Sequence, residues 1–436
     1  MFILSSRSIQ TCGLLAGLSI GSLFSMIPNL AQADEAASDW PTRSTLTGDW
    51  GGERRKLAEQ GVKLTGDYVS ETMSNVHGGI KTGTRYVQQV RLGAQFDLNK
   101  ISGSQNAGVV QFTLNDRRGN SASEDLVGNR LPVQETAGGN YTRIAELSYS
   151  RSLFTEDLTT KLGFMPMGNE FGGMAVLTNF VSAGFCAHPL SMSGGSGWGN
   201  YPNSHWGAEL RYRINPEWTV QTAAFQVNPV VNSRSRYGMR MSTTGGTGAI
   251  LPIEAIYSYN GPLEGQYKFG WYYDTSNTQR INHDGKAAGR SGAYILADQT
   301  VWRDADDSAR SLHLFGQATT TDAATSPFRH WYSTGVVLHK PFANREADTV
   351  GVAYGRAVLN SRSRDAQEQA AADLASSEAI DNLDMGEQLL EVSYGAQVTP
   401  WLLVRPDLQY VIEPGAFYGA QTDNALLVGV QLKATF

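Results

Sequence analysis

Long hydrophobic runs are scarce in this sequence. Only 41% of its 436 residues are hydrophobic, and beyond the N-terminus no stretch approaches the roughly 20 apolar residues that a membrane-spanning helix needs. This composition excludes a bundle of membrane helices. It does not exclude a closed β-barrel, because the strands of a barrel need apolar residues only at every second position.

The first residues have the pattern of an export signal. Arg7 is the only charge before an apolar stretch over 12–27, and small residues flank Gln32 in the way that a signal peptidase requires. We predict a signal peptide over 1–33. The alternative is a short membrane anchor, but the apolar run is too short to span a bilayer.

Cysteine is equally rare, with Cys12 and Cys186 as the two residues of this type. Signal cleavage removes Cys12, so the mature chain keeps Cys186 alone and no intramolecular disulfide is possible. A lone thiol of this kind is either reactive or buried and inert. The sequence assigns no role to Cys186.

Signatures of nucleic-acid binding and of catalysis are also lacking. A formal net charge of −6 offers no basic face to nucleic acid. No His-x-x-x-His or Cys-x-x-Cys spacing indicates a metal, and the Gly-rich segment 193–199 has neither a phosphate-loop lysine nor a Gly-x-Ser-x-Gly elbow. We therefore expect no metal, no cofactor and no nucleic-acid partner, and a protein that is not an enzyme.

Short β-type segments with period-two alternation fill the chain from Val62 to its end, separated by clusters of Gly, Pro, Asn and Asp. They number sixteen and predict an all-β fold, a transmembrane antiparallel barrel over 62–436. The predicted strands are 62–72, 86–99, 107–115, 141–150, 158–166, 206–214, 218–227, 252–259, 265–273, 292–301, 311–319, 328–339, 348–358, 387–398, 402–411 and 425–436.

The links between the predicted strands alternate in length. Outer-membrane barrels show this asymmetry, with tight periplasmic turns and long external loops, whereas soluble propellers and sandwiches have no reason to keep it. The link 320–327 is the one weak case. The short links are 100–106, 151–157, 215–217, 260–264, 340–347 and 399–401, and the long links are 73–85, 116–140, 167–205, 228–251, 274–291, 359–386 and 412–424.

Alternation within the strands predicts one face for lipid and one for water. A soluble sandwich has the same alternation with its apolar face turned inward. Aromatic residues near strand ends, such as Trp206, Trp218 and Trp401, favour the barrel because its two interfaces carry aromatic girdles. The terminal Phe436 closes an alternating strand, an ending common in outer-membrane barrels.

The segment 34–61 is predicted to be a separate periplasmic piece between the signal and the first strand. Within it, 52–61 has the composition of a short helix that ends at Gly61. A second helical patch, 365–380, is Ala-rich and lies in a long link. We expect it to be a solvated surface helix of an external loop.

Three separate blocks resemble the OprB-type carbohydrate-selective porins, and they follow one another in the family's order over nearly the whole mature chain. The blocks are Leu46-Thr47-Gly48-Asp49-Trp50-Gly51-Gly52-Glu53-Arg54 with Leu57-Ala58-Glu59-Gln60-Gly61-Val62; Asn179-Phe180 with Gly184-Phe185-Cys186-Ala187-His188-Pro189 and Tyr201-Pro202-Asn203-Ser204-His205-Trp206-Gly207; and Arg405-Pro406-Asp407-Leu408-Gln409-Tyr410-Val411 with Glu413-Pro414-Gly415 and Asn424-Ala425-Leu426.

The resemblance implies a sixteen-stranded barrel in the outer membrane of a Gram-negative bacterium that admits monosaccharides such as glucose by facilitated diffusion. It also implies a channel narrowed by an inward-folded loop and lined by charged side chains. Two alternatives stay open: a porin for other small polar or anionic solutes such as aromatic acids, and a soluble exported β-protein that binds glycans. The expected partners are small neutral carbohydrates and outer-membrane lipid, and the barrel is either a monomer or a homotrimer.

If the apolar positions face lipid, the residues between them face the lumen, where both signs of charge offer donors and acceptors to a neutral polyol. For each charge the alternative is a salt bridge that only stiffens the wall. The predicted pore-lining and substrate-binding residues are Arg91, Glu146, Lys161, Glu209, Arg211, Arg213, Glu391, Arg405 and Asp407.

The long link 167–205 is the predicted constriction loop. Its amide donors and aromatic faces suit sugar binding, and the alternative is an external loop packed on its neighbours. The residues predicted to act there are Asn169, Glu170, Asn179, Phe180 and Trp198.

Overall fold

A computed structural model describes residues 40–185, 190–233, 238–373 and 383–436. The predicted signal peptide 1–33, Cys186 and the end of the helical patch 365–380 lie outside these ranges. The chain divides into two units, Met1–Thr42 and Arg43–Phe436. The described part of the first unit is a single 3-10 turn, Trp40–Thr42.

The described part of the second unit contains sixteen strands that form one closed antiparallel barrel. Each strand pairs with its neighbours in sequence, and β1 pairs with β16 to close the ring. This confirms the predicted fold. The strands are β1 Val62–Gly79, β2 Gly83–Asp97, β3 Val109–Gly119, β4 Tyr141–Leu153, β5 Thr155–Met165, β6 His205–Arg213, β7 Trp218–Val227, β8 Gly248–Tyr259, β9 Gly265–Gln279, β10 Lys286–Arg303, β11 Ser311–Thr320, β12 Phe328–His339, β13 Thr349–Leu359, β14 Gly386–Thr399, β15 Leu402–Ile412 and β16 Asp423–Thr435.

The outer face of the barrel is apolar, and much of the inner face is polar. In β15, Leu408 is 44% exposed, while its neighbours Asp407 and Gln409 are buried. Ile295 of β10 and Phe269 of β9 are also about half exposed, at 54% and 47%. A soluble sandwich turns its apolar face inward, so this arrangement is that of a barrel whose surface meets lipid.

Two hairpins are longer than the sequence predicts. The predicted long links 73–85 and 274–291 are wrong, because β1 and β2 stay paired up to Asn75 and Gly83, and β9 and β10 stay paired up to Gln279 and Lys286. These ends of the strands are polar and lack an apolar face. Backbone hydrogen bonds continue the ladder there, joined by a side-chain bond between Ser74 and Thr84 at 2.8 Å, and a hydrophobic period does not reveal them.

Four α-helices lie in the described residues: α1 Glu53–Glu59, α2 Leu98–Ser102, α3 Leu190–Gly195 and α4 Ser361–Asp373. The predicted N-terminal helix is confirmed as α1, and it is followed by Gly61, whose φ of +94° suits glycine. The patch predicted at 365–380 begins earlier, at Ser361. None of the described helices has both the length and the apolar character needed to cross a bilayer.

The N-terminal segment is tied to the seam where the barrel closes. Arg54 donates from Nη2 to the backbone oxygens of Phe436 at 2.6 Å and of Leu64 at 3.1 Å, so one guanidinium bridges the ends of β16 and β1. Leu46 adds a backbone bond to Thr435 O at 2.7 Å. A planar cation that serves two carbonyls at once suits this position.

We expect Arg54→Ala to weaken the seam. Hydrogen bonds to a charged group contribute about 1.5–3 kcal/mol each, so the variant should lose its folded gel mobility at a lower temperature than the wild type. Arg55→Ala is the matched control, since Arg55 is 72% exposed and lies 4.0 Å from its ion-pair partner Asp49. Equal unfolding temperatures for both variants would contradict the role of Arg54.

Candidate functional site

Two long links fold into the barrel instead of standing above it. Inner loop A is 120–140, and inner loop B is 166–204, of which 186–189 are not described. Both are apolar where they meet the wall: Leu126 and Val133 of loop A and Phe171 and Phe180 of loop B are almost fully buried. The loops therefore cover part of the inner wall and narrow the lumen.

Aromatic side chains hold loop B against strands β9 to β12. The ring of Phe180 lies 5.6 Å from that of Phe315, and the ring of Phe185 lies 6.1 Å from that of Trp331. Trp198 contacts Tyr272 and Tyr294 at ring distances of 5.5 Å and 5.9 Å. The pairs made by Phe180 and Trp198 are edge-to-face, a geometry that adds to the stabilisation from buried apolar area.

Wall carboxylates fix the backbone of both loops. Glu387 accepts N–H groups of Arg130 at 2.6 Å and Leu131 at 2.9 Å in loop A. Glu391 accepts N–H groups of Val181 at 2.5 Å and Ser182 at 3.1 Å in loop B. Three further carboxylates do the same for single loop residues, namely Glu71 for Thr136, Glu254 for Gly172 and Asp274 for Gly197. All five are buried, so they are anchors for the loops.

Three of the predicted pore-lining residues lie beneath loop B. Glu391 is 0% exposed, Asp407 is 4% exposed and Arg405 is 5% exposed. Arg405 donates to Thr178 O at 2.8 Å and to Gln431 at 3.0 Å. This corrects the expectation that the three residues face the open channel, because a loop whose shape periodicity does not specify lies over them.

Some of the residues predicted to act from loop B are likewise turned away from the open channel. Phe180 and Trp198 point into the packed interior, and Asn179 is used locally, since its side chain donates to Val176 O at 3.0 Å. This corrects the expectation that they face a solute. Asn169 is exposed at the end of the 3-10 turn Met167–Asn169, beside Glu170. Glu170 reaches a charged cluster at the wall.

The wall formed by β16 and β1 to β6 stays partly open to water. The Arg91 side chain is 45% exposed, that of Arg211 is 42% exposed and that of Lys161 is 23% exposed. On the opposite wall, Glu254 and Asp274 are 0% exposed beneath loop B. The aqueous path is therefore off-centre and runs along the charged wall.

On this wall, side chains of both charge signs lie close together at a first site, which is farther from the short turns than the second cluster described below. Arg91 and Asp67 form a fork on neighbouring strands, with Nε donating to Oδ1 at 3.1 Å. The guanidinium of Arg91 lies 5.9 Å from the ring centre of Tyr201 in loop B, and the Tyr201 hydroxyl accepts from Asn115 at 3.0 Å. Burial raises the pKa of Tyr201 to about 12, so this hydroxyl keeps its proton at neutral pH.

Loop A contributes one carboxylate, Glu135, to the same region. Burial raises the pKa of Glu135, and four surrounding cations, Arg117, Lys433, Arg405 and Arg91, oppose that rise. Arg117 also donates to the Glu135 and Ala137 carbonyls at 3.4 Å and 3.2 Å. Sequence reasoning missed Arg117 and Glu135. The period-two alternation of β3 continues to Arg117 and could have identified it as an inward-facing residue. No sequence pattern predicts the position of Glu135.

A second charged cluster lies nearer to the short turns. Lys161 Nζ contacts Glu146 at 2.8 Å and Glu170 at 2.5 Å. Arg211 lies between Glu209, at 3.5 Å, and Glu170, at 3.9 Å. The structure thus brings together four predicted wall residues and one predicted loop residue. Arg213, which is 59% exposed, forms a separate pair with Asp157 at 2.5 Å.

The arrangement offers polar contacts without a centre for chemistry. Among the described residues, no group of three or more His, Cys, Asp or Glu side chains could hold a metal ion. The open wall presents guanidinium and ammonium donors beside carboxylate acceptors. Such a wall suits solutes that exchange hydrogen bonds with it and then leave.

A lipid-facing barrel with a polar lumen narrowed by inner loops defines a diffusion channel of the Gram-negative outer membrane. The chain belongs to the OprB family of carbohydrate-selective porins, whose family model matches residues 81–436. It is a channel and not an enzyme.

Known proteins resemble this chain over nearly its full length. Porin B of Pseudomonas aeruginosa is 33% identical, with 97% of this chain and 98% of that protein aligned. The putative porin QuiX of Acinetobacter baylyi is 27% identical, with 99% of this chain and 100% of that protein aligned. The high-pH structure of Pseudomonas putida OprB matches with a TM-score of 0.85 at 30% identity, covering 91% of this chain and 99% of that chain.

Proposed function

We propose that neutral monosaccharides such as glucose pass along the open charged wall and are selected where Arg91, Asp67, Arg117 and Tyr201 face Glu135. The observation that carries this proposal is the Arg91 side chain, which is 45% exposed, forms an ion pair with Asp67 and interacts electrostatically with Glu135. Two neighbouring hydroxyls of a sugar can share the fork of Arg91. The carboxylates of Asp67 and Glu135 accept hydrogen bonds from the others.

The binding that this geometry supports is weak. A channel must release its solute as readily as it takes it up, and the residues concerned are already paired with one another. We expect millimolar affinity, on the order of 4 kcal/mol. Discrimination against larger sugars comes from the width that the two inner loops leave open.

We expect Arg91→Ala to reduce the flux of glucose at low millimolar concentration about tenfold. Loss of a charged hydrogen-bond donor costs about 1.5 kcal/mol, and 1.4 kcal/mol corresponds to a factor of ten in affinity. The measurement is swelling of liposomes that contain equal amounts of folded barrel. Arg118→Ala is the matched control. Arg118 pairs with Asp116 at 2.6 Å, away from Glu135.

Unchanged glucose flux in a correctly folded Arg91→Ala barrel would contradict the proposed site. An equal loss in Arg118→Ala would show that any lost arginine disturbs the barrel, and it would count against selection at Arg91 as well. The proposal is supported if only Arg91→Ala is slow and if both variants keep the heat-modifiable gel mobility of the wild type.

The second candidate function is passage of small organic anions such as aromatic acids. It is favoured by Arg117, Lys433, Arg405 and Arg91, the four cations whose charges act on Glu135. Swelling with a panel of sugars and organic acids separates the two candidates. Faster flux of the acids than of glucose in the wild type would favour the second.

A further inference from the structure

An open cavity of about 390 Å³ lies at the short-turn end of the barrel, beside the second charged cluster. The turn between β2 and β3, the ends of β4 and β5, strand β6 and Glu170 of loop B form its walls. Its volume lies within the range of roughly 300–1,000 Å³ typical of small-molecule sites. The side chains that matter for its chemistry are those of Ser150, Thr159, Lys161, Glu170, Glu209 and Arg211.

The cluster is fixed by Lys161. Its ammonium group is held by Glu146 and Glu170 at hydrogen-bond distance, and its side chain is 23% exposed. Cross-strand pairing sets Lys161 opposite Ser150 on one side and opposite Glu209 on the other. Glu146 and Glu170 therefore keep their places without a bound solute, which lowers the cost of binding one.

Arg211 and Glu209, in contrast, have incomplete hydrogen bonding. The distances from Arg211 to its two carboxylate neighbours are 3.5 Å and 3.9 Å, longer than the 2.7–3.2 Å of an N–H···O bond. The Arg211 side chain is also 42% exposed. Glu209 is 4% exposed, and its Oε2, which is itself shielded from solvent, meets no donor in the described part of the chain.

We propose that this cavity is a second saccharide subsite, which takes a neutral monosaccharide between Arg211 and the carboxylates of Glu209 and Glu170. The guanidinium fork donates hydrogen bonds to two vicinal hydroxyls, and the carboxylates accept hydrogen bonds from other hydroxyl groups of the same sugar. The inference rests on the proposed function, because it assumes that sugars reach this end of the channel through the constriction.

Single-channel recording with glucose added to one chamber at a time tests the subsite. The barrels are inserted with one polarity, so each chamber controls the occupancy of the site nearest to it. Glucose should reduce the ion current of the wild type from either side. When glucose is added on the short-turn side, its half-saturating concentration should rise about fivefold in Arg211→Ala and in Glu209→Gln, which corresponds to about 1 kcal/mol. When glucose is added on the loop side, the half-saturating concentration should stay unchanged.

Arg303→Ala is the matched control. Arg303 lies at the same end of the barrel and pairs with Glu264 at 2.6 Å, but it does not line the cavity. It should behave like the wild type from both chambers. Glu209→Gln preserves the size of the side chain, so it remains informative if Arg211→Ala assembles poorly.

The outcomes separate the subsite from the proposed function. If both variants keep the wild-type response from the short-turn side, the subsite is overturned while block from the loop side still supports passage of sugars. If glucose does not reduce the wild-type current from either chamber, the proposed function fails and the subsite fails with it.

Discussion

Replacing Glu387 and Glu391 together by alanine should raise the ion conductance of the channel several-fold and admit disaccharides. The two carboxylates hold four backbone N–H groups, two in loop A and two in loop B. A typical hydrogen bond contributes about 0.5–1.5 kcal/mol, and four are lost together. Without these anchors the loops should leave the wall, and the lumen should widen toward that of an open sixteen-stranded barrel. Conductance and maltose-driven liposome swelling measure the change.

The barrel itself should survive this double substitution, because its ladder does not depend on the two carboxylates. Glu346→Ala is the control, since Glu346 lies in a short turn and its side chain is 81% exposed. It should leave conductance and maltose exclusion as in the wild type. Wild-type exclusion of maltose in a folded Glu387→Ala, Glu391→Ala barrel would show that the loops keep their place without these anchors.

Glu135→Gln should shift the ion selectivity of the channel several-fold toward anions. The charges of Arg117, Lys433, Arg405 and Arg91 act on this carboxylate, and of these Arg91 is also paired with Asp67. Loss of the Glu135 charge therefore leaves the field of the cations less compensated. The reversal potential in a salt gradient measures the shift. Glu124→Gln is the control, because Glu124 lies in the same loop but is exposed at its outer part.

The raised pKa of Glu135 gives this prediction a pH dependence. An acid with a raised pKa becomes neutral at a higher pH than an ordinary glutamate. The selectivity of the wild type should therefore move toward that of Glu135→Gln as the pH falls, before most carboxylates titrate, while the variant changes little over the same range. Parallel curves for the two proteins would mean that another group sets the charge preference.

The fold could be predicted from the sequence because lipid imposes a strict rule on every second residue. Leu408 and Ile295 are apolar since they face hydrocarbon, and the same rule sets Glu209 and Arg211 toward the lumen. This rule applies only to strand residues that lie within the lipid bilayer. Hairpin β9–β10 continues beyond it to Gln279 and Lys286 with polar residues on both faces, so periodicity placed its turn too early.

The site was less predictable because the inner loops follow no period. Alternation correctly turned Glu391 and Arg405 inward but could not show that loop B lies over them. It identified Lys161 and Arg211, whose partner Glu170 comes from that loop. Glu135 could not be found in this way, since a loop position has neither an inward nor an outward face until the chain is folded.

The central claim is that the channel distinguishes sugars by their hydroxyl chemistry at the charged wall, beyond the limit that its width sets. Liposome swelling with glucose and with a neutral solute of equal size that lacks vicinal hydroxyls tests it most directly. We expect glucose to enter several-fold faster than the size-matched solute, and this advantage to disappear in Arg91→Ala. Entry rates ordered by molecular size alone would contradict the claim.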